Sequence, residues 1–249
     1  MPHDQFLDPP LPDVIAQWTR YVEALDPRPG DRVLDVGCGS GDPDVLLLRL
    51  RPEVGAVVGL DPSGARLANA RRHTASERSP VFVRGDGRRL PFPEGAFDRV
   101  ISADTLEWVR PPLEAVREMR RVLRPGGRAV LTHTDFDSQL FGGVDARLSR
   151  EIVHAFNDAG PNGTIARELP SLAREAGFGS VEVQVYTLVN GELAPGRYVW
   201  EIVETMRQWF ASKPVVAPER FERWVAEIEA ASAAGRFFYA VNRVICVCG

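Results

Sequence analysis

Three glycines alternate at Gly37, Gly39 and Gly41, preceded by a carboxylate at Asp35 and followed by another at Asp42. Glycine has no Cβ, so a backbone built from it can turn tightly and let a ligand lie directly against it. The residues before the loop, Val33-Leu34-Asp35-Val36, read as a short strand, and those after it as a helix. A strand, such a loop and a helix N-terminus form a nucleotide-type crevice at the carboxyl edge of a sheet. The spacing narrows the ligand. A dinucleotide fingerprint is G-x-G-x-x-G, and here Asp42 stands where its third glycine belongs. A second apolar run, Ala56 to Leu60, ends in Asp61. A carboxylate there can accept both hydrogen bonds of a ribose diol and would repel a phosphate.

Proton-handling side chains collect further along. His133 follows a strand-like run, and an ordinary imidazole titrates close to neutral pH. Asp135, Glu107 and His154 are the other candidate bases, and His133 is the best placed of the four. Asp135 and Asp137 could supply two oxygen ligands to a metal, but nothing completes the set, so no metal is assigned. The three cysteines, Cys38, Cys246 and Cys248, form neither a disulfide framework nor a zinc pattern.

The elements that must carry these groups alternate regularly. Val14, Ile15, Trp18, Tyr21, Val22 and Leu25 repeat at helical spacing over 13–25. Ser63 can cap a helix over 64–73. Strands are predicted at 81–83, 99–102 and 128–132, with a helix through Leu113, Val116, Met119 and Val122 between the last two. This β-α alternation over 31–135 predicts a parallel sheet with right-handed crossovers. Beyond it the pattern predicts helices over 144–158 and through 169–176, then an alternating strand from Val181. Two amphipathic helices follow in 190–235, and a final strand runs from Phe237 to Val247.

The glycine loop with Asp61 closely resembles the class I S-adenosylmethionine-dependent methyltransferases. The stretches "LPFPEGAFDRVIS" (90–102) and "VLRPGGRAVLT" (122–132) also look like that family's motifs. The resemblance implies an α/β fold: a doubly wound, mostly parallel, seven-stranded Rossmann-like sheet with strands six and seven antiparallel at one edge. It implies S-adenosylmethionine as cofactor, held by Asp35, Gly37, Cys38, Gly39, Gly41, Asp61, Pro62, Asp86, Gly87, Ala103 and Asp104. In that set Asp86 takes the adenine amino group, and the Ala103–Asp104 backbone lies near the sulfonium. Thr105 or Glu107 faces cofactor or substrate. Relatives often carry histidine where Trp108 stands, so that role is not carried over. The organisation expected is a leading helical segment (1–30), a cofactor-binding core (31–135), a helical cap (136–165) and the rest of the sheet (166–249) with a helical insertion at 190–235. Trp18, Glu107, Phe136, Phe141 and Tyr198 are the expected substrate contacts, and the aromatics among them suit an apolar or planar small molecule.

The function expected is therefore methyl transfer to an O, N or C nucleophile of a small molecule. A non-methylating S-adenosylmethionine-binding role, as a cyclase or a non-catalytic subunit, is the first alternative. A nucleotide-dependent oxidoreductase is disfavoured by Asp42. Arginines cluster at 66–89 and 117–124, which raises a nucleic-acid methyltransferase. The net charge of −4 over 249 residues speaks against a general nucleic-acid binder. No apolar run reaches the roughly 18 residues of a membrane span, and Met1-Pro2-His3-Asp4 carries no basic-then-apolar signal. The cytoplasm is the expected compartment.

Overall fold

A computed structural model describes residues 12–74 and 79–249; the amino-terminal tetrapeptide discussed above lies outside them. The chain begins with α1 (Pro12–Leu25) and then alternates β1 (Arg32–Val36), α2 (Asp42–Leu50), β2 (Ala56–Asp61), α3 (Gly64–His73) and β3 (Val81–Arg84). β4 (Phe97–Ala103), a single 3-10 turn (Leu106–Trp108), α4 (Pro112–Val122) and β5 (Leu123–Gly142) follow. The remainder is α5 (Ala146–Ala159), α6 (Ile165–Glu175), β6 (Val181–Asn190), α7 (Tyr198–Ser212), α8 (Pro218–Ala233) and β7 (Phe238–Cys248).

The seven strands form one sheet in the order β3-β2-β1-β4-β5-β7-β6. β1 to β5 pair in parallel, β7 runs antiparallel to β5, and β6 antiparallel to β7. This is the mostly parallel, Rossmann-like sheet expected from the sequence. Alternation along each central strand sends neighbouring residues to opposite faces. Leu34, Val100 and Leu131 pack with α4 and α6, while Val33, Ile101 and Val130 pack with α1 and α2. A further apolar cluster joins Phe141, Tyr239 and Val241, at the far ends of β5 and β7, to α5, α7 and α8.

One stretch departs from its predicted structure. Residues 136–142, read as the start of a helical cap, continue β5 and pair with β7, after a register shift between Asp135 and Leu140. The pairing of Leu140, Phe141 and Gly142 with Ala240, Tyr239 and Phe238 supplies the strand that the local sequence does not suggest.

Strand register gathers the chemistry-bearing residues at one edge. Val36 pairs with Leu60, Asp61 with Arg84, and Ala103 with Thr132. Gly37 and Asp104, which follow Val36 and Ala103, therefore leave the sheet at the edge where Asp61 ends β2, while His133 stays in β5, paired with Val244 of β7.

Candidate active site

Gly37, Gly39 and Gly41 all have left-handed backbones, with φ of 89°, 56° and 80°. The three are not equivalent. A Cβ on Gly37 would collide with the Thr105 side chain, and one on Gly41 with the Phe82 ring. A Cβ on Gly39 would meet nothing within 4 Å. The loop is thus packed at its two ends and open at its middle. The amides of Gly37 and Cys38 donate to the Leu60 carbonyl at 2.7 and 3.1 Å, which ties the loop to the end of β2.

Asp61 sits against that open middle. One carboxylate oxygen accepts from the Gly39 amide at 3.1 Å and the other from the Ser63 amide at 2.8 Å. Each oxygen keeps a second acceptor position. Asp35, buried below, has its pKa pushed up to about 7 by burial first and by the Asp61 charge second. Cys38 is buried, and burial together with the carboxylates of Asp44, Asp35 and Asp61 pushes its thiol up. Pro62 follows Asp61, and its carbonyl accepts from Arg84 Nε at 3.1 Å. Gly87 lies against Val36 at the end of β1. Asp86 is half exposed and gripped by Arg88, with Nη2 at 2.6 Å from Oδ2. Hydrogen bonds from Arg88 hold its carboxyl below the usual range.

A buried polar network lies between the end of β4 and the middle of β5. Asp104 has a positive φ of 47°. Its Oδ1 accepts from the Thr134 amide at 2.9 Å and from the Thr134 hydroxyl at 3.2 Å, and its Oδ2 pairs with Arg243. Arg243 is 1% exposed and also donates to the hydroxyls of Tyr21 (2.7 Å) and Tyr198 (3.1 Å). Burial pushes the Asp104 carboxyl up, but Arg243, His133 and the Thr134 amide together bring it below its ordinary value. His133 is buried. Its Nδ1 lies 2.9 Å from the Thr134 carbonyl, which can only accept, so Nδ1 carries the hydrogen. Nε2 has no hydrogen-bond partner and faces Glu107 Oε1 at 3.6 Å. Burial lowers the His133 pKa, but Glu107 and Asp104 outweigh it and the net shift is upward.

Glu107 is itself buried and lines a cleft with Trp108, Phe136, Phe156 and Trp209, of about 380 Å³ including its open mouth. The rings form a continuous wall of edge contacts. Centroid distances are 6.0 Å for His133–Phe136, 5.8 Å for Phe136–Phe156, 6.3 Å for Phe156–Trp209 and 6.2 Å for Trp108–Trp209.

Two of the expected substrate contacts, Glu107 and Phe136, line this cleft. Phe141 does not: it packs against Trp224 and Tyr239 at 4.7 and 4.9 Å in the apolar cluster beyond. Trp18 is buried against Tyr21 at 5.5 Å, on the α1 side of the sheet. Tyr198 reaches the network through its hydroxyl, which meets Arg243 and the Thr134 hydroxyl. Of the other base candidates, Asp135 is engaged by Arg167, as is Asp137, and His154 is exposed beside Asp137 at 3.7 Å. Among the described residues no group of three or more His, Cys, Asp or Glu could hold a metal, and no helix is long and apolar enough to cross a membrane. Arg243, Thr134, Trp108, Phe156 and Trp209 complete the picture. The sequence signal for Arg243 is its position: a lone cation in a largely apolar strand needs a buried counter-charge.

The strand order, the glycine loop and the acid closing β2 define a nucleoside-binding α/β protein of methyltransferase type. Comparison with known proteins supports this: the family described as "Methyltransferase domain" matches residues 34–131. A demethylmenaquinone methyltransferase of Staphylococcus aureus is 32% identical over 184 residues, covering 68% of this chain and 76% of the relative. An uncharacterized 37.1 kDa protein in transposon TN4556 of Streptomyces fradiae is 33% identical over 229 residues. That match covers 91% of this chain but 64% of the relative's length. The crystal structure of the YcgJ protein of Bacillus subtilis superposes with a TM-score of 0.63 at 17% identity, covering 94% of this chain and 97% of that one. The chain belongs to the class I S-adenosylmethionine-dependent methyltransferase family, and S-adenosylmethionine is its cofactor.

Proposed function

We propose that the chain transfers the methyl group of S-adenosylmethionine to an O, N or C nucleophile of a small, apolar or planar molecule held in the aromatic cleft. The observation that carries this is the open face at Gly39, bordered by Asp61, on a loop whose two ends are closed by Thr105 and Phe82. The residues present fit the cofactor. A nucleoside needs backbone without side chains beside it, and Gly39 supplies that. A ribose diol needs two acceptors, and each Asp61 oxygen keeps one. Asp86 would accept from the adenine amino group, sharing its carboxylate with Arg88. Ala103 and Asp104 would border the sulfonium end, where Asp104 supplies a negative charge already balanced by Arg243.

When bound, the cofactor supplies an electrophilic methyl group. The chain's own work is alignment and exclusion of water. The ring wall of Phe136, Phe156, Trp108 and Trp209 removes water from the acceptor. Glu107 stands on the turn that follows Thr105, so cleft and glycine loop share one short segment. The name of the Staphylococcus relative, a demethylmenaquinone methyltransferase, supports an acceptor of planar, apolar shape.

The test has two arms. Titration calorimetry with S-adenosylhomocysteine is expected to show binding that Asp61→Ala weakens about tenfold or more, the effect of one or two hydrogen bonds to a charged group. Unaltered affinity in that variant overturns the assignment of the seat. Labelled S-adenosylmethionine incubated with phenol, amine and activated-carbon acceptors is expected to label one class. Cofactor binding with no transfer to any class favours a non-methylating role.

A further inference from the structure

The cleft carries a more specific reading of the acceptor, which rests on the methyl-transfer reading above. We infer that it takes a neutral aromatic molecule bearing a hydroxyl, which donates its proton to Glu107, and that His133 is a positioning residue holding that carboxylate from behind.

The walls select the ring. Four aromatic side chains in edge contact line one opening, and flat ligands gain from such contacts. An aromatic box can also hold an ammonium ion through the ring faces, and more tightly where uncompensated negative charge adds to them. Here the charges nearest the cleft compensate one another. Asp104 is paired with Arg243, and Glu107 faces the imidazole of His133 at 3.6 Å. The Asp104–Arg243 pair sums to zero and the imidazole faces Glu107, so no cluster of uncompensated carboxylates addresses a cation in the cleft. A neutral hydroxyl, by contrast, must find an acceptor when it is buried. The buried Glu107 carboxylate, already on the cleft wall, is that acceptor. The wall also holds one unsatisfied donor: Trp209 Nε1 is buried without a partner, and an oxygen-bearing ligand would complete it.

Proton and electrons balance. The hydroxyl O–H bond breaks and its proton goes to Glu107. The oxygen uses that electron pair to form the new O–CH₃ bond, and the pair of the broken C–S bond stays on sulfur. His133 stands behind Glu107, with Nε2 at 3.6 Å from Oε1, and holds that carboxylate in place. The groups facing its ring are Glu107 at Nε2, Asp104 and the Thr134 carbonyl at Nδ1, and Phe136 at its edge.

The experiment is calorimetry on protein saturated with S-adenosylhomocysteine, using 2-naphthol, 2-methoxynaphthalene and benzyltrimethylammonium. Naphthol is expected to bind at least about tenfold more tightly than its methyl ether, the effect of one hydrogen bond to a charged acceptor. Glu107→Gln is expected to erase that difference while its melting temperature stays near that of the unmodified protein. Naphthol affinity is expected to fall as rising pH removes the His133 charge, and His133→Asn to remove that slope. Equal binding of naphthol and ether, tighter binding of the ammonium, or a Glu107→Gln variant that still prefers naphthol overturns the inference. The ligand comparison needs no variant to fold. Failure to bind S-adenosylhomocysteine at all would instead strike the cofactor seat.

Discussion

Gly37 and Gly39 look alike in the sequence and do different work in the fold. Both have left-handed backbones, which cost an L-residue about 1–2 kcal/mol. At Gly39 that is the whole cost, because a Cβ there meets nothing; at Gly37 the added atom also drives into Thr105, whose hydroxyl already donates to the Ala103 carbonyl at 2.9 Å. Gly39→Ala should therefore melt only a few degrees below the unmodified protein, yet lose most of its S-adenosylhomocysteine affinity, since its methyl occupies the ligand's side of the loop. Gly37→Ala should lose clearly more stability. Thermal melts with and without S-adenosylhomocysteine separate the two. A Gly39→Ala protein that still gains the full ligand-induced shift would show that the ligand does not lie on this loop. Arg243 makes a related point about buried charge. It is fully desolvated, and it is held by one carboxylate and two tyrosine hydroxyls from three separate stretches, the residue after β4, α1 and α7, so the edge of the site depends on residues far apart in sequence.

Helix α7 shows how an element can depend on another for its start. Its N-cap residue, Arg197, provides no side-chain cap. The first amides are satisfied from outside: Tyr198 N donates to Asp13 Oδ2 at 2.9 Å and Val199 N to Asn190 Oδ1 at 3.0 Å. Asp13 Oδ2 also accepts from Asn190 Nδ2 at 2.9 Å, so α1, the end of β6 and the start of α7 meet at one carboxylate. Asp13→Ala removes that acceptor and is expected to cost about 1–3 kcal/mol, the effect of stranding a buried donor. Urea denaturation measures the loss, and hydrogen exchange should show it as faster opening of the first turn of α7. Unchanged exchange there would mean that Asn190 alone holds the helix start. The same element explains what could be read in advance. The alternation over 31–135 was legible because each strand is a local apolar run bounded by turn residues, and the glycine loop because its chemistry is contiguous. The cap of α7 comes from a residue of α1, and the strand over 136–142 from pairing with β7. Neither leaves a local pattern. Trp108, Phe156 and Trp209 come from three separate elements, so only the folded chain reveals them as one wall.

The molecule as a whole buries its apolar side chains in distinct bodies on one sheet. Two flank the parallel strands, and a third, formed by α5, α7 and α8 over the far ends of β5 and β7, supports the aromatic cleft. Trp224 lies at the heart of the third body, fully buried, with its indole N–H donating to Ser149 Oγ at 2.9 Å and its ring centroid 4.7 Å from that of Phe141. Replacing it with alanine removes a large packed side chain and leaves a cavity, a loss of about 3–5 kcal/mol. The glycine loop draws its support from Leu60, Thr105 and Phe82, none of which belongs to that body. Trp224→Ala should therefore loosen the cleft and leave the cofactor seat standing. The expected result is a lower denaturation midpoint, little or no binding of 2-naphthol, and a thermal shift with S-adenosylhomocysteine that persists. Loss of both ligands together, in protein that is still folded at the assay temperature, would mean that cleft and cofactor seat respond as a single unit. Separate loss would mean that the helices over β5 and β7 can vary to suit an acceptor without disturbing the half of the molecule that holds the methyl donor.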